Sequence, residues 1–221
     1  MKMKIFVTTC NYTSHLLRGF SYLFNKFWGD SHEVIVLYYD VVPKLPDNFT
    51  CVSVGRMREH KNYWTNALIP IFKSLRDDYF ILFLDDFWLK KRVKIKILNS
   101  YSRYIKMKAV RIAISNEVLN RKHIITPYGI ETAQDATYRA SLQASIWSRE
   151  YFLRLLKPNR TIWDFEKLGS KERLNDGFLQ ITNTPFPCDY RHVWRWGTWF
   201  EPSLKDYNMN LLEELKQKGC L

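Results

Sequence analysis

Apolar positions along the chain follow two alternating patterns. Lys4 to Thr8 is a short apolar run suited to a buried strand, and after the turn-prone Asn11-Tyr12-Thr13-Ser14 the residues Leu16, Phe20, Leu23, Phe24 and Phe27 recur at helical spacing. Val34 to Tyr39 predicts a second strand ending at Asp40. A proline-broken loop follows over 42–47, and Thr50 to Val54 predicts a short third strand. Trp64, Leu68, Ile71, Phe72 and Leu75 form one helical stripe, in which Pro70 implies a kink or a late start. Tyr79 to Leu84 is the most apolar strand of the chain and stops at Asp85-Asp86.

Strands that are apolar on both faces and separated by helices of about 10 to 15 residues imply a mostly parallel sheet with helices on both sides. The expected fold class is therefore α/β, a Rossmann-like layer over about 1–115. Ligands of such sheets bind beyond the carboxyl ends of the strands, so Thr8, Thr9, Asn11, Asp40, Asp85 and Asp86 are expected at one crevice. No GxGxxG follows the first strand and no GxxxxGK[ST] occurs, which argues against a dinucleotide cofactor and removes the P-loop enzymes.

The second half, about 116–221, is less regular. It is introduced by Val93, Ile97, Tyr101 and Ile105, which predict one amphipathic helix from about Arg92 to Met107 with a basic face of Lys90, Lys91, Arg92, Lys94, Lys96, Arg103 and Lys106. Ala109 to Ile114 reads as a strand, 115–140 as irregular, and Ser141 to Trp147 as a strand. Glu150 to Leu156 and Trp163 to Leu168 read as short helices, and a last helix is expected from about Leu204 to Lys218. Between them, Phe186 to Phe200 is crowded with Tyr190, Trp194, Trp196 and Trp199.

Composition narrows the partners. With 221 residues, 46% of them hydrophobic and only 8 Gly and 8 Pro, the chain suits a single self-sufficient domain. No apolar run approaches the roughly 18 residues of a membrane span, and only Ile5-Phe6-Val7 follow the basic start, too few for a signal peptide; a cytoplasmic protein is expected. Cys10, Cys51, Cys188 and Cys220 lie far apart and are expected as free thiols. Lys and Arg number 34 against 22 Asp and Glu, a net charge of +12 that favours acidic partners. Nucleic acid, anionic lipid and phosphorylated small molecules all qualify, but no helix-turn-helix, zinc-finger or RNA-recognition signature supports the first.

Candidate chemistry lies where carboxylates interrupt this basic chain. Asp85 and Asp86 at a strand tip repel each other unless a cation compensates, and Mg²⁺ or Mn²⁺ would do so while holding phosphate; a solvated turn is the alternative. Asp40 could accept hydrogen bonds from a base or ribose, with Thr8, Thr9 and Asn11 beside it, or simply end its strand. In Trp163-Asp164-Phe165-Glu166 the two carboxylates project differently from a first helical turn, so one alone can face the crevice. Aromatic walls would raise its pKa toward that of a general base, although acidic residues also favour helix N-termini. Asp135 is the next candidate base, and the five histidines form no metal-ligand spacing.

The strand Phe6-Val7-Thr8-Thr9-Cys10-Asn11, the strand ending in Asp40, the run into Asp85-Asp86-Phe87, and Ser141-Leu142-Gln143-Ala144-Ser145-Ile146-Trp147 followed by Trp163-Asp164-Phe165-Glu166 together resemble a GT-A type glycosyltransferase, in particular small bacterial-style enzymes of surface polysaccharide assembly. The resemblance covers nearly the whole chain; it departs from the family's usual Asp-x-Asp, because these aspartates are adjacent. It implies transfer of a sugar from a nucleotide diphosphate sugar, a UDP-sugar first, to a hydroxyl of a glycan or lipid-linked acceptor, with an inverting course expected. On that reading about 1–115 binds the nucleotide sugar and about 116–221 the acceptor. Mn²⁺ or Mg²⁺ would sit on Asp86 helped by Asp85, Thr8, Thr9, Asn11, Asp40, Asp85 and Trp147 would bind substrate, and Glu166 or Asp164 would take the acceptor proton. Contact with an anionic membrane through the basic helix and no nucleic-acid partner are also expected. The competing readings are a nucleotidyltransferase acting on sugar phosphates, which should carry a Gly-rich loop near the first strand where no Gly occurs before Gly19, and a non-enzymatic nucleic-acid or anionic-lipid binding module.

Overall fold

The computed structural model describes residues 3–41, 44–60, 63–115, 122–182 and 185–221. β1 (Ile5–Thr8) is buried along its whole length, and a 3₁₀ turn leads into α1 (Leu17–Phe27), whose Leu17, Phe20, Leu23 and Phe24 face the core. β2 (Val34–Tyr38) and β3 (Phe49–Ser53) follow, then α2 (Trp64–Ser74). This helix begins well before Pro70, whose missing amide leaves Asn66 without its intrahelical donor. β4 (Tyr79–Leu84) passes through a two-residue turn, Asp85-Asp86, into β5 (Phe87–Leu89).

The expected basic helix is two short ones, α3 (Ile95–Ser100) and α4 (Ser102–Lys106). Tyr101, between them, bonds its N–H to Leu98 three residues back, which tightens the turn. That geometry buries both Tyr101 and Tyr104, their rings edge to face at 5.5 Å. After β6 (Arg111–Ala113), the stretch expected to be irregular holds a hairpin, β7 (His123–Thr126) and β8 (Gly129–Thr132). β7 is an exposed edge strand, so no buried face imposes alternation on its sequence. Residues 116–121 of that stretch, and 42–43 of the proline-broken loop, lie outside the described residues.

β9 (Ser145–Ser148) leads into α5 (Arg149–Leu155), and α6 (Ile162–Glu172) precedes β10 (Gln180–Ile181). Three short strands, β11 (Tyr190–His192), β12 (Trp194–Arg195) and β13 (Thr198–Trp199), are followed by α7 (Glu201–Leu204) and α8 (Met209–Gln217). The last helix was expected to be continuous from Leu204. It restarts because the Asn208 side chain accepts from Leu211 N at 2.8 Å, a new N-cap, while Tyr207 is drawn inward to donate to the Trp88 carbonyl at 2.7 Å.

Among the described residues the main sheet has nine strands in the order β3-β2-β1-β4-β9-β6-β10-β8-β7. It is mixed and mostly parallel: β3, β2, β1 and β4 run together, and β9 is inserted antiparallel between β4 and β6. Alternation along β1 sends Ile5 and Val7 to one core, under α1 and α8, and Phe6 to the other, under α2, α5 and α6. Helices therefore cover both faces of an α/β fold. Thr8 pairs with Leu37 on one side and Leu84 on the other, so these three strands end level and the residues just beyond them share one rim. No described helix is long and apolar enough to cross a membrane.

Candidate functional site

A cleft of about 880 Å³ opens on that rim. Thr8, Thr9, Asp85 and Asp86 line it from β1 and β4, Tyr39, Met57 and Trp64 from beyond β2 and β3, Leu142, Gln143, Trp163 and Glu166 from the second half, and His192 and Trp194 to Gly197 from the last strands.

Asp85 is buried and accepts a hydrogen bond from Thr9 Oγ1 at 2.6 Å. Burial first, and the neighbouring Asp86 charge second, push its carboxyl up to about 8. Its backbone is held from both sides, its N–H by the Thr8 carbonyl at 3.2 Å and its carbonyl by Trp88 Nε1 at 3.2 Å. Asp86 points one oxygen, Oδ2, at His192 Nε2, 2.6 Å away. Its other oxygen, Oδ1, is buried with no hydrogen-bond partner among the described residues. The five histidines show no metal-ligand spacing in the sequence, yet His192 stands against the acidic turn. It reaches Asp86 because β11 pairs antiparallel with β5, His192 opposite Phe87, and no local spacing in the sequence signals that ladder.

These donors suit one kind of cation. No cluster of three or more His, Cys, Asp and Glu side chains that could enclose an ion exists among the described residues. An orphaned, buried carboxylate oxygen beside a second carboxylate nonetheless fits a hard cation shared with a ligand's phosphates, the way Mg²⁺ is commonly bound.

The other residues singled out from the sequence separate into cleft and frame. Glu166 lines the cleft, its Oε1 accepting from Leu142 N at 2.7 Å. Asp164 does not line it. It forms a capping box with Thr161, whose Oγ1 donates to it at 2.8 Å, and these bonds hold its carboxyl below the usual range instead of raising it. Thr161 and Asp164 thus set where α6 begins, and thereby where Glu166 sits. Asn11 and Asp40 lie at the margin outside the lining, bonded to each other: Asn11 Nδ2 donates to Asp40 Oδ2 at 2.7 Å and Asp40 N to Asn11 Oδ1 at 3.2 Å. Asn11 lowers the Asp40 carboxyl, and the pair ties together the chain beyond β1 and β2.

Trp147 is placed away from the cleft. β9 is hydrogen-bonded on both sides, and its tryptophan is fully buried against Phe152 and under the Arg111 guanidinium, which makes it a core residue. Asp135 is exposed and pairs with Lys122 at 2.5 Å. All four cysteines are free.

No protein-family model matches the chain, and no curated protein matches it. Among solved structures, it is similar to a UDP-glucose pyrophosphorylase complexed with UDP-glucose, with a TM-score of 0.54 and 11% identity over 96% of this chain and 100% of that one. An apo-UDP-glucose pyrophosphorylase gives the same score and identity over 97% and 100%. S. aureus TarS is similar at a TM-score of 0.49 and 12% identity, over 86% of this chain and 36% of that one. What the pyrophosphorylase likeness shows is a shared fold.

Proposed function

We propose that the protein is a GT-A type glycosyltransferase that moves a sugar from a nucleotide diphosphate sugar, with UDP as the first candidate nucleotide, to a hydroxyl of a glycan or lipid-linked acceptor. One observation carries the reading: Asp86, with a buried oxygen lacking a partner among the described residues, and Glu166, held by a backbone amide, line a single cleft beyond the strand ends. Asp86, with Asp85 behind it and His192 against it, would hold Mn²⁺ or Mg²⁺. Such an ion, when bound, neutralises charge that builds on a departing nucleotide diphosphate.

The chain's own residues supply the rest. Tyr39, Met57 and Trp64 offer apolar and aromatic surface for a nucleobase near the ends of β2 and β3. Thr9 fixes Asp85 by its hydroxyl, so the acidic turn is set before a ligand arrives. Glu166 accepts the proton of the attacking hydroxyl, with Leu142 N keeping the carboxylate in place. An inverting course follows if Glu166 and the leaving group lie on opposite faces of the sugar.

The fold shared with a UDP-glucose pyrophosphorylase favours a second reading, nucleotidyl transfer to a sugar phosphate. The segment after β1, Thr9-Cys10-Asn11-Tyr12-Thr13, has no glycine to let the backbone close around a triphosphate, which places this reading second. Two assays separate them: UDP released from UDP-sugars in the presence of Mn²⁺ and acceptor, and pyrophosphate released from UTP and sugar 1-phosphates. The first is expected to be positive and the second blank. Glu166→Gln is expected to keep the donor-induced thermal shift and cut turnover about 10²- to 10⁴-fold, and Asp86→Asn to lose both. Full activity of either variant, or of the wild type in EDTA, would overturn the corresponding role.

A further inference from the structure

Two tryptophans at the mouth of the cleft are exposed although the chain has deep cores to receive them. Trp163 is 66% exposed and Trp196 is 90% exposed, and both line the cleft. Trp163 lies three residues before Glu166 on α6, a spacing that puts the two side chains on neighbouring positions of one helix face. Trp196 sits at the tip of the β12–β13 hairpin.

The hairpin is built as a stand for that ring. At its base Trp194 and Trp199 pack edge to face at 5.3 Å, Trp199 meets the buried Trp88 at 5.5 Å, and Trp194 meets His15 at 4.8 Å. The tip is a two-residue turn in which Trp196 has φ +53° and Gly197 φ +80°. Turns of this kind favour Asn-Gly, since a bulky residue in the left-handed region is strained. A tryptophan is held there, exposed, where asparagine would sit more easily. Such strain is commonly kept where a side chain has a task. Arg195, stacked over Phe200 at 4.2 Å, steadies the same turn.

We propose that Trp163 and Trp196 form a platform for the acceptor, and that the acceptor is a saccharide whose ring stacks on the indoles with a hydroxyl directed toward Glu166. The inference rests on the transfer reading for the role of Glu166. A sugar ring combines a C–H face that an aromatic surface covers with hydroxyls that need polar partners, and Gln143, Glu166 and Arg195 line the same mouth. A lipid chain laid there would take the charged Glu166 and Arg195 out of water and offer no hydrogen bond in exchange.

The test reads saccharide binding without any donor, so it separates from the transfer reading. Saturation-transfer NMR is run with chitotriose, maltotriose, cellotriose and lactose on the wild type, Trp163→Ala, Trp196→Asn and Trp196→Tyr. Asparagine suits the left-handed turn, so its effect reports the missing ring, and circular dichroism with Tm confirms the fold of each variant. At least one saccharide is expected to receive saturation at its ring protons. Its Kd is expected to weaken about 3- to 10-fold on loss of either indole and to be largely restored by Trp196→Tyr. No transfer to any of the four, or equal binding by a Trp163→Ala/Trp196→Asn double variant, overturns the platform. Binding to phosphatidylglycerol vesicles that depends on Trp196, with no saccharide binding, overturns it in favour of a membrane contact. Saccharide binding through the two indoles without any UDP release overturns the transfer reading and leaves the platform standing.

Discussion

Asp164 and Glu166, two residues apart, carry different duties because a helix starts between Thr161 and Ile162. Asp164→Ala is expected to lower Tm through the lost capping box, while turnover falls far less than in Glu166→Gln. Asp85 gives a pH prediction with a definite sign. Its folded-state pKa, about 8, lies above the ordinary carboxylate value, so the protein loses stability as pH rises between the two. The Tm advantage of Asp85→Asn over wild type, measured without metal, is expected to grow from pH 4 to pH 8; an unchanging difference would contradict the buried, protonated carboxyl. Saturating Mn²⁺ and UDP should narrow the gap at pH 8. The acidic pair was legible because it interrupts the most apolar strand in the chain. Asp164 and Glu166 could be narrowed only to one of two, since the capping box depends on where the helix starts. His192 was not legible at all: its position is fixed by a ladder to β5 that no local pattern encodes.

Elements with at least one strongly buried face were the readable ones. β1, β2, β4, α1 and α2 each carry an apolar pattern imposed by a core, and the structure places them close to the expected bounds. The β7–β8 hairpin escaped notice because an exposed edge imposes little on its residues, and the break between α3 and α4 because the burial of Tyr101 and Tyr104 is a tertiary demand. Trp147 was misplaced because its strand runs antiparallel to β4, which sets it opposite Phe80 at the end of the sheet away from the rim, where neighbours on both sides bury it. One close approach between elements has a measurable consequence. A Cβ on Gly19 of α1 would lie 2.1 Å from the ring of Trp88, the residue that holds the Asp85 carbonyl. Gly19→Ala is expected to cost about 1–3 kcal/mol by overpacking and to weaken Mn²⁺-dependent UDP binding as Trp88 shifts. A variant with native Tm and native binding would mean that α1 can move away freely.

For the molecule as a whole, charge sets the remaining expectation. The net charge of +12 includes exposed Lys94, Lys96, Arg103, Lys106 and Lys108 around α3 and α4, with Ile95 and Met107 partly exposed among them. Each basic side chain near an anionic bilayer contributes about 1 kcal/mol. Sedimentation with phosphatidylglycerol vesicles is expected at about 50 mM salt and lost at about 500 mM, where screening shortens the reach of these charges. Changing Lys94, Lys96 and Lys106 to Gln should abolish it; attachment that survives high salt would point to insertion of apolar residues instead.

The late strand at the centre of the sheet also orders the events of synthesis. β9 lies between β4 and β6, yet its residues, Ser145–Ser148, follow both in the chain. While the ribosome is still making the segment after Ala113, β1 to β4 can already pair, but the open side of β4 has no neighbour and both its faces are apolar. An unpaired apolar edge of that kind is where nascent chains join one another. Until β9 arrives, the half of the molecule that holds Asp85 and Asp86 is the half most in need of a chaperone.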